Sequence, residues 1–179
     1  MAKAVGGNSK RGPLVGILMG SDTDLAVMNE AARMLEKFGI PYEMEVVSAH
    51  RTPARAHEYA TSAASRGLKV LIVGAGAAAH LAGVMAANTT LPVIGVPLAT
   101  TALNGLDALL STVQMPAGIP VGTMGLDKAG GANAGIFAAE ILGLSDPEIA
   151  RRLVEHKEEL VRGVAEKNAR LQQQVAAKK

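Results

Sequence analysis

Ser48-Ala49-His50-Arg51 sets a hydroxyl, an imidazole and a guanidinium side by side, and Thr52-Pro53 follows at once. A histidine there can take up and release a proton near neutral pH. An arginine there can grip phosphate or carboxylate through two parallel N–H bonds. Thr52 as N-cap and Pro53 at the first helical position explain those two residues as a helix start, but they leave His50 and Arg51 unexplained. Gly20-Ser21-Asp22-Thr23-Asp24 is a second stretch of this kind. Its glycine admits close backbone approach, Ser21 offers a hydroxyl, and the following helix N-terminus presents free N–H groups to an anion. Plain capping by Ser21 or Asp22, with Asp22 and Asp24 complementing the helix dipole, is the competing reading. The third stretch, Gly74-Ala75-Gly76-Ala77-Ala78-Ala79-His80, does not match the dinucleotide fingerprint and is weak as a glycine-rich loop alone. Its bare methyl groups beside His80 make a small, dry pocket wall, unless His80 is satisfied on its own helix.

What must position these residues is read from periodicity. Residues 14–19, 42–47, 69–73, 91–97 and 119–124 are apolar or β-branched runs that predict strands. Between them, helical spacing covers 22–38, 52–66, the stretch ending near Asn88, 103–112 and 130–144, with Gly39 and Gly67 as stop signals. Strands that are continuously apolar and alternate with helices predict a parallel sheet covered on both faces. The expected fold is a three-layer α/β domain with a parallel five-stranded, flavodoxin-like sheet and an extended C-terminal helix. That last helix spans 146–176, starts well at Asp146-Pro147, and carries only a narrow stripe of Ile149, Leu153, Leu160 and Val164. So narrow a stripe on so long a helix predicts packing along a neighbouring subunit, with fraying at its end as the alternative.

In a parallel α/β sheet, ligands bind beyond the carboxyl ends of the strands. All three polar stretches directly follow predicted strands and so share one edge. Together they predict a phosphate or sugar site with a histidine acid/base beside a small apolar pocket.

Composition narrows the rest. The 179 residues suit one domain, 49% are hydrophobic and only 2% aromatic, and there is no Cys. Cysteine chemistry and disulfides are excluded, and a reducing, cytoplasmic location is expected. The N-terminus has no apolar stretch of a secretory signal, and no run suits a membrane span. The net charge is +2, yet between Pro13 and Ala150 seven Lys/Arg face twelve Asp/Glu. The positive excess sits at the chain ends, so no basic stripe predicts nucleic-acid binding. With His57 and His156 inside helical stretches and no clustered carboxylates, no metal site is expected. Neither a P-loop nor a Gly-x-Ser-x-Gly elbow occurs.

The blocks MGSDTD, VVSAHRTP, GAGAAAHLAG, LPVIGVP, LLSTVQMPAGIPVGT and AGGANAGIFAAEIL run in the order seen in N5-carboxyaminoimidazole ribonucleotide mutases of de novo purine synthesis. The chain resembles that family over about residues 13–150. The resemblance implies an isomerase that converts N5-carboxyaminoimidazole ribonucleotide to 4-carboxy-5-aminoimidazole ribonucleotide without metal or organic cofactor. It implies a homo-octamer, with residues 1–12 as a flexible tail, 13–145 as the mutase domain and 146–179 as a helix on a neighbouring subunit. Carried onto this sequence, Ser21, Ser48 and Arg51 resemble phosphate contacts, Asp24 a ribose contact and His50 the general acid/base. Ala75, Gly76, His80 and Leu81 resemble the wall that holds migrating carbon dioxide. Ala77 stands where the family more often has Gly, and Ala82 where it more often has Pro. The first is expected to add a methyl near the carbon dioxide pocket, the second to loosen a turn. A sister group carboxylates aminoimidazole ribonucleotide directly. It usually has Lys in place of Arg51 and lacks the Ala-Ala-His-Leu run, so both features favour the mutase. A non-catalytic nucleotide-binding module remains the reading from another class.

Overall fold

The computed structural model describes residues 4–6 and 12–177. Strands β1 (Ala4–Gly6), β2 (Val15–Met19), β3 (Tyr42–Val46), β4 (Val70–Gly76), β5 (Val93–Leu98) and β6 (Gly122–Thr123) form one sheet in the order β1-β3-β2-β4-β5-β6. Every pairing from β3 to β6 is parallel. Those five strands have the flavodoxin-like order, which reverses direction of travel between β2 and β4 and opens a crevice there. β1, inside the segment expected to be a tail, adds an antiparallel edge with Ala4 opposite Met44.

The helices are α1 (Leu25–Lys37), α2 (Pro53–Ala63), α3 (Leu81–Asn88), α4 (Leu106–Val113), α5 (Asp127–Gly143) and α6 (Pro147–Ala176). Alternation along the strands splits the core in two. Ile17, Ile72 and Ile94 point into a cluster under α1 and α5, whereas Leu18, Leu71 and Val73 point into one with Tyr59 and Met85. Both sheet faces are therefore buried, which is why β2, β4 and β5 read as unbroken apolar runs. The α5 block AGGANAG lets that helix approach α1 to backbone contact. A Cβ on Gly131 would fall 2.7 Å from the Val27 carbonyl oxygen, and one on Gly135 would fall 2.6 Å from that of Ala31.

Several boundaries differ from the periodicity: β4 runs on past residue 73 to Gly76, α2 ends at Ala63 rather than 66, and α5 begins at Asp127 rather than 130. The helix expected from residue 22 begins with a 3-10 turn over Asp22–Asp24 before α1 proper. The helix expected at 103 starts at Leu106, because Asn104 (φ 50°) and Gly105 (φ 85°) take left-handed backbone and break the chain direction. The strand expected at 119–124 pairs only at Gly122–Thr123, since Pro120 cannot donate to the ladder.

One buried charge cluster ties β3 to α2. Glu43, 3% exposed, accepts from the Tyr59 hydroxyl at 2.7 Å and from Arg66 Nη1 at 2.5 Å. The Arg66 guanidinium lies 4.6 Å above the Tyr59 ring. Burial, then the Glu43 carboxylate, pushes the Tyr59 phenol well above its ordinary pKa.

Asp146 caps α6, accepting from the backbone N–H groups of Glu148 and Ile149 at 3.0 and 3.3 Å. Of its expected stripe, Ile149 is buried and Leu153 packs against the core, while Leu160 and Val164 stay exposed.

Candidate active site

At the end of β2 the capping and ligand readings coincide. Ser21 Oγ accepts from the Thr23 N–H at 3.3 Å, and Asp24 Oδ2 accepts from the Ser21 N–H at 3.0 Å, a reciprocal capping box. Asp24 is only 7% exposed. Burial pushes its carboxyl pKa up, opposed by the Ser21 N–H, the Thr23 hydroxyl, a Gly20 backbone bond and the Arg51 charge.

At the end of β3 the backbone folds into a tight loop. Thr52 stands at the N-cap of α2, but its hydroxyl does not cap. It turns back, accepting from the Ser48 N–H and donating to the Ser48 carbonyl, both at 3.0 Å. Ser48 Oγ accepts from the Arg51 N–H at 3.1 Å, and Arg51 Nη2 donates to the Gly20 carbonyl at 2.8 Å. The guanidinium thereby fastens the β3 loop to the end of β2.

The loop after β4 brings in the second histidine. His80 precedes α3 as its N-cap residue without a side-chain cap. Its Nδ1 lies 2.9 Å from His50 Nε2, and the rings meet edge to face at 5.1 Å. One ring must donate and the other accept, so the pair holds one proton between the two facing nitrogens. Ser111 on α4 braces this loop, accepting from the Ala79 N–H at 3.2 Å and donating to the Ala77 carbonyl at 3.3 Å.

These segments enclose a cavity of about 400 Å³. Every residue to which the resemblance gave a site role lines it: Ser21 and Asp24 after β2, Ser48, His50 and Arg51 after β3, and Ala75, Gly76, His80 and Leu81 from β4 and α3. Among the described residues no cluster of three His, Cys, Asp or Glu side chains is arranged for a metal ion. No helix among them is long and apolar enough to cross a membrane.

The family described as AIR carboxylase matches residues 14–162. The chain belongs to that family. A relative from Pyrococcus horikoshii named N5-carboxyaminoimidazole ribonucleotide mutase is 58% identical over 161 residues, 90% of each chain. One of the same name from Thermotoga maritima is 59% identical over 161 residues, 90% of this chain and 93% of that one. Among solved structures, Treponema denticola PurE superposes with a TM-score of 0.79 at 30% identity, covering 89% of this chain and 98% of that chain.

As an AIR carboxylase family chain, this one carries its two unusual alanines at revealing places. Ala77 has φ 53° and is exposed. It is not itself a lining residue, although its chain neighbours Gly76 and Ala78 are, so the added methyl sits at the edge of the cavity. Its cost is backbone strain, because a Cβ crowds the left-handed conformation. Ala77→Gly is expected to stabilise the protein by about 0.5–1 kcal/mol, the relieved strain less the added freedom of unfolded glycine. Thermal unfolding at fixed protein concentration reads this as a rise of about 2–3 °C, with turnover unchanged; a fall in midpoint contradicts it. Ala82 is buried in the first turn of α3 rather than in a turn, a position that tolerates Pro or Ala alike.

Thr23, Ala49 and Thr100 also line the cavity and were given no role from the sequence, whereas Gly20 and Ala78, read there as close backbone approach and wall methyl, line it as well. Thr100 carried a usable signal, since it lies just past the end of β5 on the same sheet edge. Ser111 carried none, because its contacts to the loop span more than thirty residues of sequence.

Proposed function

We propose that this chain is an N5-carboxyaminoimidazole ribonucleotide mutase of purine biosynthesis. One observation carries the reading. His50 sits in a single cleft between anion-gripping groups and an alanine-rich wall, in a chain whose relatives bear that name. Ser21, Ser48 and Arg51 hold the phosphate, Asp24 the ribose, and the Ala75–Gly76 backbone with His80 and Leu81 faces the carboxyl group.

The chemistry follows from the groups present. His50 donates its proton to the exocyclic nitrogen of the carbamate. The N–C bond breaks, its electron pair stays on nitrogen, and carbon dioxide departs. Carbon dioxide carries no charge, so methyl groups and backbone keep it better than a wet, charged surface would. The ring carbon attacks it, a C–C bond forms, and neutral His50 removes the proton from that carbon. One residue serves as acid and then as base. His80, sharing the facing proton, orients the ring for both steps. Keeping carbon dioxide in place makes its recapture intramolecular, an advantage of several kcal/mol. No step calls for a metal or an organic cofactor.

The deciding assay supplies the carbamate nucleotide in one vessel and aminoimidazole ribonucleotide with bicarbonate in another. Turnover of the carbamate supports the mutase. Turnover only in the second vessel identifies a direct carboxylase, and binding without turnover identifies a nucleotide-binding module.

The active unit is a cytoplasmic homo-octamer in this reading. It is supported by apolar side chains that have no place in one subunit. Leu160, Val164, Leu171 and Val175 are exposed on α6, and Leu103, Leu106, Leu110 and Val113 on and before α4. Light scattering on the full chain tests the stoichiometry, and a monomeric mass rules it out.

A further inference from the structure

The cleft has a fourth wall, the segment after β5, and it supplies one hydroxyl. Thr100 lines the cavity. Its backbone N–H is engaged, donating to the Leu98 carbonyl at 3.1 Å, while its hydroxyl has no partner among the described residues. The side chain lies across the bare Cα of Gly76. A Cβ there would fall 2.2 Å from Thr100 Oγ1 and 2.7 Å from the Thr100 methyl. Glycine at 76 is therefore what allows this hydroxyl to reach the alanine-rich end.

Strand order says what would meet it. Along the sheet edge the cleft runs from the β3 loop with Ser48 and Arg51, past Asp24 after β2, over Ala75–Gly76 of β4, to Thr100 after β5. That is three strand steps, about 14 Å at ordinary strand spacing. A ribonucleotide with its phosphate on Arg51 and its ribose on Asp24 lays its base over β4 and its outermost group toward β5.

We propose that Thr100 is a substrate-contacting residue whose hydroxyl donates a hydrogen bond to the migrating carboxyl group. The substrate is that of the mutase reading, on which this inference rests. Thr100 keeps its own proton throughout. As the N–C bond breaks with its pair on nitrogen, the hydroxyl holds an oxygen of neutral carbon dioxide. As the C–C bond forms, that oxygen gains negative charge, and the bond becomes charge-assisted and stronger. An interaction that strengthens along the reaction accelerates it rather than only tightening binding.

The test compares Thr100→Val and Thr100→Ala, which lose the hydroxyl, with Thr100→Ser, which keeps it. Turnover of the carbamate nucleotide is run in buffer containing isotopically labelled carbon dioxide. The hydroxyl-free variants are expected to lose about ten- to a hundredfold in kcat. They should also incorporate label into the product, because carbon dioxide escapes and is replaced from solution. Thr100→Ser should behave as the unmodified chain, with little label. Equal losses in Thr100→Ser and Thr100→Val overturn the proposal, since packing on Gly76 would then be the cause. Unchanged turnover without label in Thr100→Val also overturns it. A direct binding measurement separates this from failure of the mutase reading. Even if the unmodified chain turns nothing over, Thr100→Val should weaken 4-carboxy-5-aminoimidazole ribonucleotide and leave aminoimidazole ribonucleotide unaffected. Equal affinities for both across the variants sink the proposal.

Discussion

His50→Asn is expected to lower kcat for the carbamate nucleotide by about 10²–10⁴-fold, the range for losing a general acid/base. The amide can still hydrogen bond to His80, whose Nδ1 lies 2.9 Å from the present imidazole, but it can neither give nor take a proton. In the proposed reading, phosphate and ribose contacts come from Arg51, the two serines and Asp24, all on other side chains of the cleft. Affinity for the product nucleotide, measured by calorimetry, should therefore change by less than about threefold, the pattern of an interaction made in the chemical step alone. His50 is exposed, so the melting temperature should not move. Near-normal turnover in this variant would remove His50 from the mechanism and leave His80 as the proton carrier.

The largest expected effect on stability lies away from the chemistry. Glu43→Ala leaves Arg66 and the Tyr59 hydroxyl without their shared acceptor inside the β3–α2 layer. Breaking one side of a buried ion pair costs several kcal/mol; because Arg66 is partly exposed and can turn toward water, about 3 kcal/mol is expected here. Thermal unfolding at matched protein concentration should show a midpoint about 6–12 °C lower. Glu43→Gln keeps an acceptor of the same shape and should lose less than half as much. If both variants melt with the parent chain, the cluster is not a stabilising one. The loss also reaches the cleft, because α2 anchors the far end of the Ser48–Thr52 loop.

How much of this was legible in the residues depends on the range over which each feature is determined. The parallel sheet was legible because burial on both faces leaves β2, β4 and β5 with no polar alternation to misread. The position of the cleft followed from that sheet and from the rule that ligands sit beyond strand ends. Local competition was harder. Thr52 has the identity and place of a capping residue, yet its hydroxyl satisfies Ser48 instead. Nothing in a four-residue window decides between those partners. The conformation of Ala77 was invisible because alanine ordinarily avoids positive φ, and only the surrounding loop enforces it. The His50–His80 contact, the Arg51 clamp on Gly20 and the Glu43 cluster each join residues far apart in the chain. Such pairs are set by the packing of whole elements, so the residues were recognisable and their partnerships were not.

The block AGGANAG touches no part of the cleft, although it stands among the stretches by which the chain resembles its relatives. Two of its glycines, Gly131 and Gly135, are where α5 rests directly on the backbone of α1, and α1 follows directly from the turn that holds Ser21 and Asp24. In the proposed reading, the depth at which those two residues would meet a nucleotide is therefore gauged from the opposite side of the helix, by atoms that are missing. Enlarging one of these glycines would act as a wedge, changing grip on the substrate from a residue that never meets it.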